Sequence, residues 1–242
     1  MDRWLIRYKP PAVPRLRLFG FPYAGAGASL FASWAEMLPE GVELNAVQLP
    51  GRENRLRETP ITQLEPLLSL LLEAVRPYLD LPYAILGYSF GALLAFELTR
   101  CLRRSGAPLP HHLFVLGRRA PHLANPSPPA HHYSDADLVS WMRDLGGTPA
   151  PILEHPELLP IFLPILRADL TLHETYSYRS DAPLDLPISA FGGLRDSQAS
   201  REELAAWREH TNGRYSLHLY PGGHFFVKNY QAMLLRDISA AL

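Results

Sequence analysis

The stretch GYSFG, Gly87 to Gly91, holds a serine with a glycine two positions away on either side. A serine hydroxyl is a poor nucleophile at neutral pH. Ser89 could therefore do acyl-transfer chemistry only if a base takes its proton and a third group orients that base. The flanks supply a suitable setting. YAIL before the motif reads as a short buried strand, and ALLAFELTRCL after it reads as a helix that is apolar on most of its circumference. A strand-to-helix turn would hold the serine in a strained backbone conformation with its hydroxyl above a sheet, and Gly87 and Gly91 would let strand and helix approach closely. An ordinary loop serine is the competing reading, and the strand-and-helix context argues against it.

On such an architecture the chain order is serine, acid, histidine. LPISAFGGLRDS places Asp196 just past a strand, and LHLYPGGHFF places His224 just past the last one, each after a pair of glycines. Asp196 could instead cap the following helix, but Ser200 with Glu203 already forms a capping box there. Asp185 and Asp181 are alternative acids, disfavoured because they precede the strand. Of the ten histidines, only His224 follows the candidate acid at a C-terminal strand edge, where catalytic loops gather on open α/β sheets. The pairs His111/His112 and His131/His132 lack metal-ligand spacing, so no metal is expected. Two backbone N–H groups are also needed to receive the oxygen that becomes negative. The amide of Phe90, next to the nucleophile, and that of Ala24 in the loop FPYAGAG are the expected donors.

The elements that must position these groups alternate along the chain. RLRLFGF and VELNAVQLPG read as strands, ASLFASWAEML and ITQLEPLLSLLLEAVRPYL as helices, followed by the Ser89 strand and helix and then HLFVLGRR as a strand. This alternation predicts an α/β fold: a mostly parallel sheet covered by helices on both faces. The pattern then breaks for about sixty residues, longer than ordinary connections. A helical insertion at about 121–186 in a single domain, 1–242, is expected there, with SDADLVSWMRDLGG and HPELLPIFLPILRADLTLHETY as its helices. Arg167 and Asp169 are expected to form an ion pair inside it. LPISAFGG, SREELAAWREH, YSLHLYPGGH and NYQAMLLRDISAAL resume as strand, helix, strand and helix.

Composition sets further bounds. The chain has 242 residues, a hydrophobic fraction of 47% and a formal net charge of −1, enough for a large core and without the basic excess of a nucleic-acid binder. Cys101 is the single cysteine, which excludes an internal disulfide and a cysteine-based zinc site; a small buried apolar role is expected for it. The N-terminal stretch lacks the continuous apolar run of a signal peptide, and no segment reaches a membrane span, so a cytoplasmic, membrane-free location is expected.

Taken together, FPYAGAGASLFASWAEML, LPGRENR, GYSFGALLAFEL, LPILRADLTLHETY and YPGGHFF resemble, in order and across nearly the whole chain, the type II thioesterases that serve polyketide and nonribosomal peptide synthetases. The resemblance implies an α/β-hydrolase fold, Ser89, Asp196 and His224 as a triad, the Ala24 and Phe90 amides as oxyanion donors, and a helical lid contributed by the insertion. It also implies a substrate carried as a thioester on the phosphopantetheine arm of an acyl or peptidyl carrier protein, with no cofactor in the enzyme itself. One departure is Tyr88, where the family commonly has histidine. That change bears on the polarity and width of the neighbouring pocket rather than on the triad. Tyr23, Tyr88 and Phe225 are expected to contact substrate, the apolar run LLPIFLPIL to line an acyl channel or pack as lid core, and residues 149–156 to take part in gating. A monomer is expected, because the required helices can cover the sheet within one chain. Two rivals stay open: a carboxylesterase for small free esters, and a non-catalytic scaffold that only docks onto a synthetase.

Overall fold

The computed structural model describes residues 3–148 and 150–242. Pro149, at one end of the expected gating segment, lies outside the described residues.

The elements run β1 (Leu5–Arg7), β2 (Leu16–Phe21), β3 (Val42–Val47), α1 (Leu64–Val75), β4 (Tyr83–Tyr88), α2 (Phe90–Arg104) and β5 (His112–Leu116). After them come α3 (Asp135–Leu145), α4 (Ala150–Glu154), α5 (Leu159–Glu174), β6 (Ile188–Gly193), α6 (Arg201–Ala205), β7 (Tyr215–Tyr220) and α7 (Val227–Ser239). The seven strands form one sheet in the order β1-β3-β2-β4-β5-β6-β7. Every neighbouring pair is parallel except β1 with β3.

Period-two alternation in the central strands explains the two helical layers. Along β4, Tyr83 and Ile85 pack with Leu71 of α1, Leu94 and Leu98 of α2, and Trp207 on one face. Ala84, Leu86 and Tyr88 pack with Phe31, Trp34 and, from α7, Leu234, Leu235 and Ile238 on the other. Because both faces are covered, β4 and β5 are buried at every position and read as continuous apolar runs. A third cluster, with Leu138 and Met142 of α3 and Leu163, Leu166 and Leu170 of α5, belongs to the region between β5 and β6.

Several elements differ from the sequence expectation. ASLFASWAEML forms two single 3-10 turns, Ala28–Phe31 and Trp34–Glu36, instead of an α-helix. Its aromatics bury themselves against the sheet, and tertiary packing outweighs helical periodicity. The short edge strand β1 and helix α4 have too few residues to show a period. Pro164 sits inside α5, where the helix is held by burial of Leu163, Ile165 and Leu166 rather than by propensity. Cys101 is half-buried, with its Sγ accepting from Arg104 at 3.2 Å.

Two buried histidines link the fold to pH. His112 stacks on Phe114 and its Nε2 lies 2.8 Å from Ser189 Oγ. Burial lowers its pKa to about 4. His210 packs among Phe96, Trp207 and Tyr178 with its Nε2 2.7 Å from His122 Nδ1. Burial, then the charges of His122 and Arg100, lowers it to about 4 as well. Both rings are neutral when folded and take up a proton near pH 6.5 when unfolded. Their contribution is thus fully present above pH 6.5 and is lost as pH falls toward 4. The thermal midpoint is expected to fall over that window, and His112→Gln to flatten the slope. An equal slope in variant and parent would assign the acid lability to other groups.

Candidate active site

The turn between β4 and α2 places Ser89 at the C-terminal edge of the sheet. Its backbone has φ 53° and ψ −110°, a conformation that costs a residue with a Cβ on the order of 1–3 kcal/mol. The Ser89 N–H donates to the carbonyl of Leu116 at 2.7 Å, so the turn is pinned to β5. The flanking glycines are required by contact: a Cβ on Gly87 would lie 2.2 Å from the Gly91 carbonyl oxygen, and one on Gly91 would lie 2.1 Å from that of Phe21.

Adjacent strands bring in the other two side chains. The loop after β6 carries Asp196, the loop after β7 carries His224, and the two loops are bonded to each other. The Leu194 N–H donates to the Tyr220 carbonyl and the Arg195 N–H to the Gly222 carbonyl, both at 2.8 Å. His224 Nε2 lies 3.0 Å from Ser89 Oγ. On its other side, His224 Nδ1 lies 2.9 Å from Asp196 Oδ2 and 3.1 Å from Oδ1. Asp196 Oδ1 also accepts the N–H groups of Gln198 at 2.8 Å and Ala199 at 3.3 Å, which fixes the carboxylate plane. Asp196 and His224 are buried, while Ser89 is half-buried. A serine, an imidazole and a carboxylate in series can transfer a proton away from the hydroxyl as it attacks a carbonyl. The alternative acids are engaged elsewhere: Asp181 pairs with Arg103 at 2.8 Å, and Asp185 accepts from Asn212 at 2.9 Å.

Ser89 and His224 open onto a cavity of about 440 Å³. Tyr23, Ala24 and Phe225 line it near the serine, and Trp141 and Met142 of α3 with Phe162 and Leu166 of α5 line it farther out. Such a space takes a mainly apolar ligand of small-molecule size. Tyr88 is not among its walls. Its ring is buried behind Tyr23, edge-on at 5.3 Å, and its hydroxyl donates to the His224 carbonyl at 2.6 Å. Burial, with Tyr23 and Asp196 nearby, raises its pKa well above the usual phenol value. Tyr88, expected to contact substrate, thus braces the histidine loop from behind and does not line this cavity. Phe90 is the first residue of α2, so its N–H has no intrahelical acceptor.

The expected Arg167–Asp169 pair does not form. Arg167 pairs with Asp135 at 2.7 Å, whereas Asp169 reaches back to the loop after β3. Arg52 holds its carboxylate in bidentate fashion, Nη1 to Oδ2 at 2.5 Å and Nη2 to Oδ1 at 2.8 Å. Asp169 Oδ2 also accepts the Gly25 N–H at 2.8 Å. Residues two apart in one helix point to different sides, and no local spacing signals a partner 117 positions away. Among the described residues, no group of three or more His, Cys, Asp or Glu side chains could hold a metal ion, and no helix is long and apolar enough to cross a membrane.

The model of the thioesterase domain family matches residues 16–242. The chain is 40% identical to the gramicidin S biosynthesis protein GrsT of Aneurinibacillus migulanus, over 94% of this chain and 89% of that protein. Among solved structures it resembles RedJ, a thioesterase from the prodiginine biosynthetic pathway in Streptomyces coelicolor. The TM-score is 0.91 and the identity 42%, covering 97% of this chain and 94% of that one. It also resembles the type II thioesterase BorB from the borrelidin biosynthetic cluster, with TM-score 0.92 and 34% identity over 99% and 98% of the two chains.

Proposed function

This chain belongs to the thioesterase domain family, and from that membership we propose that it removes acyl groups from the phosphopantetheine arm of acyl or peptidyl carrier proteins in polyketide or nonribosomal peptide assembly. The observation that carries this reading is the unbroken series from Ser89 through His224 to Asp196 at the mouth of an apolar cavity.

Ser89 Oγ attacks the thioester carbonyl while His224 Nε2 takes its proton, and Asp196 holds the imidazole in the tautomer that can do so. The amides of Ala24 and Phe90 receive the developing oxyanion, each worth on the order of 3 kcal/mol. The carbon–sulfur bond then breaks, and the departing thiolate, whose thiol has a pKa of about 8.5, takes the proton from His224, which leaves the imidazole neutral and able to activate water. Water then attacks the acyl-serine, His224 takes its proton and returns one to Ser89, and the free acid departs. Residues 121–186 act as a lid, whose α3 and α5 supply the far wall of the cavity. Its likeness to a gramicidin S biosynthesis protein and to the type II thioesterase of the borrelidin cluster supports an editing role, in which stalled or wrong acyl groups are cleared.

The direct test is a panel of carrier proteins loaded with different acyl groups and assayed for turnover by the purified chain. Hydrolysis of the carrier thioesters, with small free esters turned over far more slowly, is the expected result. Comparable rates on free esters with none on loaded carriers would make the protein a carboxylesterase, and failure of a fluorophosphonate probe to label Ser89 would make it a scaffold.

A further inference from the structure

A second and much smaller opening adjoins the serine. It measures about 30 Å³, and Ser89 and His224 share its wall with Arg118, Asn125, His173 and Gln198. It is a polar offshoot of the acyl cavity: Asn125, His173 and Gln198 line both spaces, whereas Arg118 lines only the smaller one. A volume of this size holds one or two water molecules, provided that several polar partners surround them.

The walls are fastened in place. Arg119 donates to the carbonyl of Gln198 at 2.7 Å and to that of Ala124 at 3.1 Å, and pairs with Glu203 at 3.3 Å. These contacts tie the loop after β5 to the loop after β6. Arg118 behaves differently. It is 7% exposed, and its Nε is enclosed with no partner among the described residues. Burial lowers its pKa to about 10, still far above neutrality, so it remains charged, with no carboxylate paired to it among the described residues. Burial, with Arg118, Arg119 and His224 nearby, pushes the His173 pKa well below the usual imidazole value. His173 is therefore neutral at physiological pH and can both donate and accept. A charged donor, a neutral imidazole and a primary amide around a water-sized space beside His224 make a site for water rather than for an acyl chain.

Deacylation requires such a place. Once the acyl group is on Ser89, it fills the apolar cavity, and the attacking water must reach the ester carbonyl from the side of His224. We propose that the side pocket holds the hydrolytic water, with Arg118 and Gln198 as its positioning residues. In the step served, the water oxygen forms a bond to the acyl carbon as one proton passes to His224 Nε2. The bond from that carbon to Ser89 Oγ then breaks, and the proton passes from His224 to Ser89. The inference rests on Ser89 carrying the acyl group, as proposed above.

The test separates the two half-reactions. Intact-protein mass spectrometry after rapid quenching follows formation and decay of the acyl-enzyme from an acyl-loaded carrier, for the parent chain and for Arg118→Met and Gln198→Leu. Decay slowed tenfold or more in both variants, with acylation within threefold of the parent, is expected. In steady state kcat then falls while kcat/KM holds, a split that general loosening of the site would not produce. Arg118→Met removes a buried charge that has no carboxylate partner among the described residues, so its thermal midpoint should not fall below the parent's, and Gln198→Leu keeps the backbone bond to Asp196. Parent-like decay in both variants, or acylation slowed as much as decay, would overturn the water site. Failure of the underlying reading looks different, because no acyl mass would then appear on Ser89 in any of the three proteins.

Discussion

Ser89→Ala is expected to lower kcat toward loaded carriers by a factor on the order of 10⁵–10⁶, as loss of the nucleophile does in other serine hydrolases, without unfolding the chain. The variant keeps the proposed oxyanion donors and the cavity, so a small residual rate over water and near-normal carrier binding should persist. Ser89→Gly adds a second readout. The serine occupies φ 53°, a conformation that glycine adopts without strain. Glycine there should be as inactive as alanine but more stable by about 1 kcal/mol, which raises the thermal midpoint by roughly 2–4 °C in a chain of this size. Strain kept at a position where relaxing it improves stability and removes activity is strain held for chemistry. If Ser89→Ala retained a tenth of the parent's kcat, or if Ser89→Gly lowered the midpoint, the serine would not be a strained nucleophile.

Much of this site was legible because its parts are local. Ser89 is announced by a strand, two obligatory glycines and a buried helix within one short stretch, and Asp196 and His224 each follow a strand and a glycine pair. Ser200 and Glu203 cap α6 as their spacing requires, which leaves Asp196 free for His224. Parts that depend on three-dimensional convergence were not legible. Nothing near Arg52 or Asp169 indicates that they meet, since the contact exists only because α5 lies over the loop after β3. Tyr88 looked like a substrate contact from its place beside the nucleophile. Alternation along β4 instead turns its side chain into the layer under the histidine loop. The aromatic segment 28–38 misleads for a related reason: its apolar spacing suits a helix, but its rings find better burial against the sheet as two short turns.

The Arg52–Asp169 pair separates stability from catalysis in a way that single substitutions at the triad cannot. Asp169 is 1% exposed and Arg52 4% exposed. Asp169→Ala leaves the guanidinium buried with, among the described residues, only the Ala26 and Pro50 carbonyls as acceptors. Removing one partner of a buried pair costs about 3–5 kcal/mol, which at 2–4 °C per kcal/mol is a fall in midpoint of roughly 10 °C. Replacing both partners with apolar residues, as in Arg52→Met with Asp169→Leu, can be nearly neutral, so the double variant should recover most of that loss. Activity should not recover with it. Asp169 Oδ2 accepts the N–H of Gly25, the residue after the proposed oxyanion donor Ala24, and leucine offers no acceptor to hold that loop. We expect kcat to stay on the order of tenfold or more below the parent, because a misaimed oxyanion donor forfeits part of a contribution of about 3 kcal/mol. Asp169→Asn, which keeps an oxygen for Gly25 but loses the charge, should fall between the two. Were the stable double variant to regain the parent's kcat, the pair would only fasten α5 to the body. Continued inactivity in a well-folded double variant would mean that α5, through Asp169, holds the loop beside Ser89 in its working position.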